Sequence, residues 1–205
     1  MNPNRSLNIL IVGVGGQGVI LLSDIIAEVF FKAGYNVKKS ELGGVAQRGG
    51  SVISHLRIGK KIYSPLIPKG KVDILIGMEL LEAYRWMEYL KKNGLMIILN
   101  RQISSSALSS GQGGYPADLK SKMRAKYKNV EEISWDEISK YLSNTRFANT
   151  FMLGVLSNYF PFKIRDWQRV MKEKLPLESI DLDLTAFSAS RNKFSSRTKI
   201  RGFNV

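Results

Sequence analysis

Apolar residues fall along this chain in short continuous runs separated by longer amphipathic stretches. The first run, Asn8-Ile-Leu-Ile-Val12, is bounded by polar residues and glycine and predicts a buried strand. From Gln17 to Ala33 the apolar positions Ile20, Leu21, Ile25, Ile26, Val29 and Phe30 recur at helical spacing, and Gly34 stands where a helix C-cap belongs. Tyr35 to Ser40 predicts a second strand and the alternation of Ser51 to Ile58 a third. Gly59-Lys60 reads as a tight turn into Lys61-Ile-Tyr63, which would close a β-hairpin. Asp73 to Gly77 is another buried strand, Glu79 to Lys91 another helix, and Gly94 precedes a strand at Leu95 to Leu99. Helices are expected over Asp118–Lys128, Trp135–Ser143, Arg146–Tyr159 and Ile164–Lys174, with a short strand at Val130–Ile133.

The order is therefore βαβ, a β-hairpin, then βαβ. Such alternation predicts an α/β fold with a mostly parallel sheet flanked by helices, right-handed crossovers and a β-hairpin insertion. Ser104 to Gly114 is rich in Ser and Gly and reads as a mobile surface loop. Residues 1–190 form one domain in this reading. From Arg191 to Val205 the chain is basic and Ser-rich, which suits a disordered tail.

Composition narrows the chemistry. At 205 residues the chain can bury a sizeable core without a disulfide or metal staple. It has no Cys and one His, so by itself it can ligate neither an iron–sulfur cluster nor a structural zinc ion, and a Cys nucleophile is excluded. No apolar run approaches the roughly 20 residues of a membrane span, and Met1–Arg5 is too polar for a signal peptide, so the cytoplasm is the expected compartment. The formal net charge of +14 fits either an anionic partner or general surface Lys enrichment.

Two glycine-rich segments carry the candidate chemistry. Gly13-Val-Gly15-Gly16-Gln17-Gly18 follows a predicted strand and opens a helix, the context in which G-x-G-x-x-G has a mechanism. Glycines there permit a tight turn, and a helix N-terminus offers N–H groups and a positive dipole end to a phosphate. Glu41 lies near the end of the second strand, about 20 residues further on, where a ribose-binding acid is expected. The alternative is a structural turn with no ligand.

Gly43 to Gly50 encloses Gln47 and Arg48 between Gly-Gly steps and leads into Ser51. A lone arginine among glycines cannot pack in a core, and its guanidinium would grip phosphate or carboxylate with two parallel hydrogen bonds. Gln47, Arg48, Gly49, Gly50 and Ser51 thus join Gly13, Gly15, Gly16, Gln17, Gly18 and Glu41 as candidate cofactor-binding residues. A hinge or bulge is the structural alternative. Both loops follow parallel strands and should open on the same carboxyl-end edge of the sheet. His55 reads as a packed, hydrogen-bonded residue rather than a catalytic one, and Trp86 and Tyr89 read as packing.

Together, Gly13–Gly18, Ser40-Glu41 through Ala46-Gln-Arg-Gly-Gly-Ser51, Ser54-His-Leu-Arg57 and Tyr63-Ser-Pro-Leu-Ile-Pro68 resemble the beta subunit of indolepyruvate ferredoxin oxidoreductase. That subunit is similar to the gamma subunit of pyruvate and 2-ketoisovalerate ferredoxin oxidoreductases. Asp73, Glu79 and Asn149-Thr-Phe-Met-Leu-Gly154 extend the resemblance, and Leu182–Phe187 matches the family's last helix. The resemblance implies a Rossmann-like domain inside a complex that oxidatively decarboxylates a 2-oxo acid to an acyl-CoA and reduces ferredoxin. It places thiamine diphosphate and the iron–sulfur clusters on a partner catalytic subunit, with coenzyme A as a possible shared ligand and no catalytic residue or metal on this chain. Expressed alone, such a chain is expected to be inactive and either to self-associate or to expose an apolar docking face, with the hairpin and loop from Tyr63 to Pro68 as the candidate. Two other classes compete: a stand-alone NAD(P)- or nucleotide-binding Rossmann protein, which one His and 205 residues serve poorly, and a nucleic-acid-binding module, which lacks any aromatic-interleaved basic motif.

Overall fold

A computed structural model describes residues 6–43, 49–103, 115–140 and 144–195. Six strands form one mixed sheet: β1 (Leu7–Val14), β2 (Asn36–Gly43), β3 (Ser51–Gly59), β4 (Val72–Gly77), β5 (Leu90–Asn100) and β6 (Val130–Ser134). Their spatial order is β2-β3-β1-β4-β5-β6. β1, β4, β5 and β6 pair in parallel, while β3 is antiparallel to both β1 and β2. All eight residues of β1 are buried, as a central strand covered on both faces requires.

The helices are α1 (Val19–Lys32), α2 (Leu80–Trp86), α3 (Leu119–Lys126), α4 (Trp135–Ser139), α5 (Ala148–Ser157), α6 (Ile164–Lys174) and α7 (Ile180–Lys193). One face of the sheet buries Ile9, Ile11, Ile74 and Ile76 against Phe30 of α1, Phe151 of α5, Trp167 of α6 and Phe187 of α7. The opposite face buries Leu10, Val12, Leu75 and Ile98 against Leu80 and Leu81 of α2 and Met123 of α3. Alternate residues of the same strands feed the two cores because strand side chains alternate faces.

Several elements differ from the sequence reading. The hairpin joins β2 to β3 across the glycine-rich loop, with Asn36 opposite Gly59 and Gly43 opposite Val52. Lys61–Tyr63 form no strand. Instead the Arg57 guanidinium holds the segment after Gly59 as a loop by donating to the carbonyls of Ser64 at 2.9 Å and Leu66 at 3.4 Å. The helix expected to reach Lys91 gives way to a 3₁₀ turn at Met87–Tyr89, and Leu90 is extended and buried as the first residue of β5. Gly94 lies inside β5 rather than before it, where a Cβ would come within 2.6 Å of Leu90 Cδ1, so this glycine makes room for leucine. The closing helix runs to Lys193, past the point where the basic tail was expected to begin. The Ser-rich stretch 104–114 and residues 196–205 lie outside the described residues.

Candidate functional site

Crossover helices leave β1 and β4 toward opposite faces of the sheet, α1 into one core and α2 into the other. The crevice between the carboxyl ends of these two strands is the switch point at which open α/β sheets bind ligands. Both glycine-rich segments arrive there. Gly15 N donates to Gly50 O at 2.8 Å, so the turn after β1 and the loop before β3 are tied at their backbones. The expected shared edge is thus observed.

Each glycine of the first turn has its own task. A Cβ on Gly13 would stand 2.9 Å from both Met78 Cβ and Val19 Cγ2, so this residue lets β1, the end of β4 and α1 close together. Gly16 has φ +94° and Gly18 φ +74°, the left-handed region in which side chains are strained. A Cβ on Gly18 would also collide with the Asn149 side chain, which sets α1 against the start of α5. The first backbone bond of α1 runs from Leu22 N to Gly18 O, so the N–H groups of the preceding turn have no intrahelical acceptor.

Gln17 is bound on both sides. Its Oε1 accepts from Val14 N and its Nε2 donates to Met78 O, each at 2.7 Å. The residue therefore fixes the glycine turn to the end of β4, with its amide already occupied within the chain.

Beside this turn is a cavity of about 270 Å³ lined by Gly15, Gly16, Gln17, Met78, Arg101 and Arg146, with Ile103 and Ala148 completing it. Arg101 follows β5 directly, and its guanidinium lies 4.0 Å from the Trp135 ring centroid. Burial lowers the Arg101 pKa from its ordinary value, yet arginine stays protonated at neutral pH. Arg146 precedes α5 and rests its guanidinium 4.8 Å from the Phe147 ring centroid. Among the described residues neither guanidinium is paired with a carboxylate. Two positive charges thus flank a glycine turn at a helix N-terminus, an arrangement suited to an anion.

Arg101 and Arg146 are absent from the sequence-derived site because they meet only through the sheet order and the docking of α5. One signal was available: Arg101 lies two residues past the predicted strand Leu95–Leu99, on the same carboxyl-end edge.

A buried acidic pair supports the rim. Glu79, 1% exposed, caps α2 by accepting from Glu82 N at 2.9 Å, and it also accepts from Ile103 N at 3.3 Å and from the Tyr115 hydroxyl at 2.5 Å. Burial first, and the Glu79 carboxylate second, push the Tyr115 pKa well above the usual phenol value. Ser51 Oγ donates to Glu82 Oε2 at 2.6 Å, and Arg85 meets Glu82 Oε1 at 2.5 Å. Ser51 therefore anchors the second glycine loop to α2. Gly49, with φ +80°, and Gly50 lie beside the first turn, whereas Gln47 and Arg48 lie outside the described residues.

Glu41 is placed differently from a ribose-binding acid. β3 separates β2 from β1, so Glu41 stands two strands away from the glycine turn, roughly 10 Å in the hydrogen-bonding direction. Its carboxylate pairs with Lys39, which also binds Asp24 of α1. His55 is 4% exposed and accepts from Ile67 N at 3.3 Å, which makes it a packed residue. Trp86 and Tyr89 pack against the second core as expected. No helix among the described residues is long and apolar enough to cross a membrane, and no group of three or more His, Asp or Glu among them could hold a metal.

Comparison with known proteins gives a consistent result. The family model for pyruvate ferredoxin/flavodoxin oxidoreductase matches residues 8–193. Indolepyruvate oxidoreductase subunit IorB of Archaeoglobus fulgidus is 36% identical over 191 residues, which covers 91% of this chain and 94% of that protein. The gamma subunit of a keto/oxoacid ferredoxin oxidoreductase from Geobacter sulfurreducens shares the fold with a TM-score of 0.66 at 18% identity, over 93% of this chain and 97% of that one. The 2-oxoglutarate:ferredoxin oxidoreductase of Magnetococcus marinus, solved with 2-oxoglutarate, coenzyme A and succinyl-CoA bound, gives a TM-score of 0.73 at 20% identity. That match covers 98% of this chain and 33% of the larger one.

Proposed function

Because this chain belongs to the pyruvate ferredoxin/flavodoxin oxidoreductase family, we propose that it is the non-catalytic subunit of a 2-oxoacid:ferredoxin oxidoreductase and helps engage coenzyme A. Thiamine diphosphate and iron–sulfur clusters belong to the partner catalytic subunit in this reading. A chain without Cys cannot supply thiolates to a cluster. Indolepyruvate is the favoured 2-oxo acid, on the likeness to the Archaeoglobus subunit.

The observation that carries the coenzyme A role is the cavity between Gly15, Gly16, Arg101 and Arg146. At about 270 Å³ it is too small for a whole coenzyme, since drug-sized ligands fill roughly 300–1,000 Å³. It suits one phosphate-bearing end, with the rest of the molecule lying outside toward the partner. The donor set fits that group: two guanidiniums, a helix N-terminus and a turn whose glycines admit close approach. Arg48, outside the described residues, is a further candidate on its sequence position alone. Bound coenzyme A in the Magnetococcus enzyme adds support for this ligand class in proteins of like fold.

A charge-assisted hydrogen bond contributes about 1.5–3 kcal/mol, or roughly ten- to a hundred-fold in affinity. In the assembled complex, Arg101→Ala and Arg146→Ala should each raise KM for coenzyme A by about that factor, with the KM for the 2-oxo acid unchanged. Arg101→Lys should recover part of the loss, because ammonium lacks the planar fork. Steady-state kinetics with each substrate varied in turn reads both constants. An unaltered coenzyme A KM in both alanine variants would sink the assignment.

A further inference from the structure

The loop between β3 and β4 presents apolar side chains to solvent on a backbone that is held rigidly from beneath. Tyr63 is 81% and Leu66 55% exposed, while the intervening chain is anchored. Arg57 donates to the carbonyls of Ser64 and Leu66 and to Asn8 Oδ1. His55 accepts from Ile67 N, the Ile67 side chain is buried, and Gly70 N donates to Glu88 O at 3.0 Å. Pro65 and Pro68 stiffen the backbone further. Such a loop loses little conformational entropy when something covers it.

Two features extend the surface beyond the loop. Leu42, 52% exposed, pairs with Ile53 and so lies on the same face of the sheet, the face whose core includes Ile53 and Ile67. Beside the loop, a groove of about 700 Å³ is walled by Tyr84, Trp86, Met87 and Tyr89, with Lys69 and Arg85 on its rim.

The charge around these apolar groups has one sign. From Arg57 to Lys71 the chain carries five cations and no acid. Neighbouring carboxylates are already engaged: Glu88 by Lys126 at 2.5 Å, Asp73 by Lys91 at 2.5 Å, and Glu82 by Arg85 and Ser51.

We propose that this knob and groove form the surface that docks the partner catalytic subunit, onto a face with an apolar centre and a rim of carboxylates. Tyr63 and Leu66 enter a hollow of the partner, one of its apolar side chains fills the groove by Trp86 and Tyr89, and its acidic rim meets Lys60, Lys61 and Lys69. Aromatic anchors at the centre of an interface supply most of its affinity, and complementary charge at the rim sets partner choice and association rate. The inference rests on the chain's being a subunit of a larger complex but not on the anion cavity. A second copy of this chain, with the same basic rim, would meet like charge with like.

The test uses the full-length chain and the catalytic subunit of its complex, with assembly followed by sedimentation velocity across a sodium chloride series. Tyr63→Ser/Leu66→Ser should weaken assembly at least tenfold at low salt, and so should Lys60→Glu/Lys61→Glu/Lys69→Glu. The wild-type dissociation constant should rise with salt, and the charge-reversed form should lose most of that dependence. All five side chains lie on the loop exterior or belong to its basic run, so circular dichroism melting should match wild type. Complex that does form from the Tyr63/Leu66 variant should keep its KM for coenzyme A, which separates this result from failure at Arg101. Unchanged assembly of both variants overturns the proposal. Loss of self-association with partner affinity intact overturns it as well and assigns the surface to contacts between copies of this chain.

Discussion

His55 is the chain's only histidine, and its neighbours define its protonation state. Nδ1 accepts from Ile67 N, the Tyr89 ring lies 6.1 Å away edge-on, and Ser40 stands across the strand pair. Protonation would set an N–H against the Ile67 N–H, and burial already lowers the His55 pKa below the ordinary 6.5. The unfolded chain therefore binds the proton more tightly. Stability is complete above about pH 6.5 and declines as pH falls from there through the folded-state pKa. Urea unfolding at pH 7.5 and 5.5 should show a larger loss for wild type than for His55→Asn, and parallel losses would discount His55 as the cause. The packed role of His55 was legible in the alternation of its strand, and Gly13–Gly18 was legible as a turn because its glycines lie close together in the chain, whereas its contacts with Met78 and Asn149 were not. Arg101 and Arg146 were not. They stand 45 positions apart in the chain, and only the packing of β5 and α5 against the β1 turn brings both to one cavity.

Among the elements, apolar runs predicted β1, β4 and the second half of β5, because a strand covered on both faces needs an unbroken hydrophobic sequence. The same pattern says nothing about which strand is the neighbour. Gly59-Lys60 has good turn chemistry, yet β3 returns from β2 rather than leading to Lys61–Tyr63, since eight register pairs with β2 outweigh a hairpin with a three-residue stub. Helix contacts are likewise set by residues that periodicity treats as neutral. Gly154, in the middle of α5, faces α7 so closely that a Cβ would collide with the Ser190 side chain and the Phe187 carbonyl. Gly154→Ala would gain about 1 kcal/mol of helix propensity in isolation. Here overpacking, worth about 1–3 kcal/mol, should prevail and lower the urea midpoint with m unchanged. A raised midpoint would mean that α5 and α7 do not approach this closely.

For the whole molecule, the sheet and its two helical layers complete a fold, and the proposed non-catalytic role predicts how the isolated chain behaves. Purified alone, it should show no turnover with 2-oxo acids, coenzyme A and a viologen acceptor, and no visible absorption from a cluster. Viologen reduction by the isolated chain would refute the proposal that it is a non-catalytic subunit. The wedging of β3 between β2 and β1 also governs how the chain is born. Leu7 waits for Ile58 on one side, and Ile9 waits for Ile74 on the other. As the polypeptide leaves the ribosome, β1, α1 and β2 appear first, but they cannot close into a sheet among themselves, because the slot between the two strands belongs to a segment not yet made. Until β3 is made, β1 and β2 lack the strand that pairs with both. A nascent chain halted after Gly43 should be digested readily by protease, and one released beyond Lys193, with the helices that cover β1 complete, should resist.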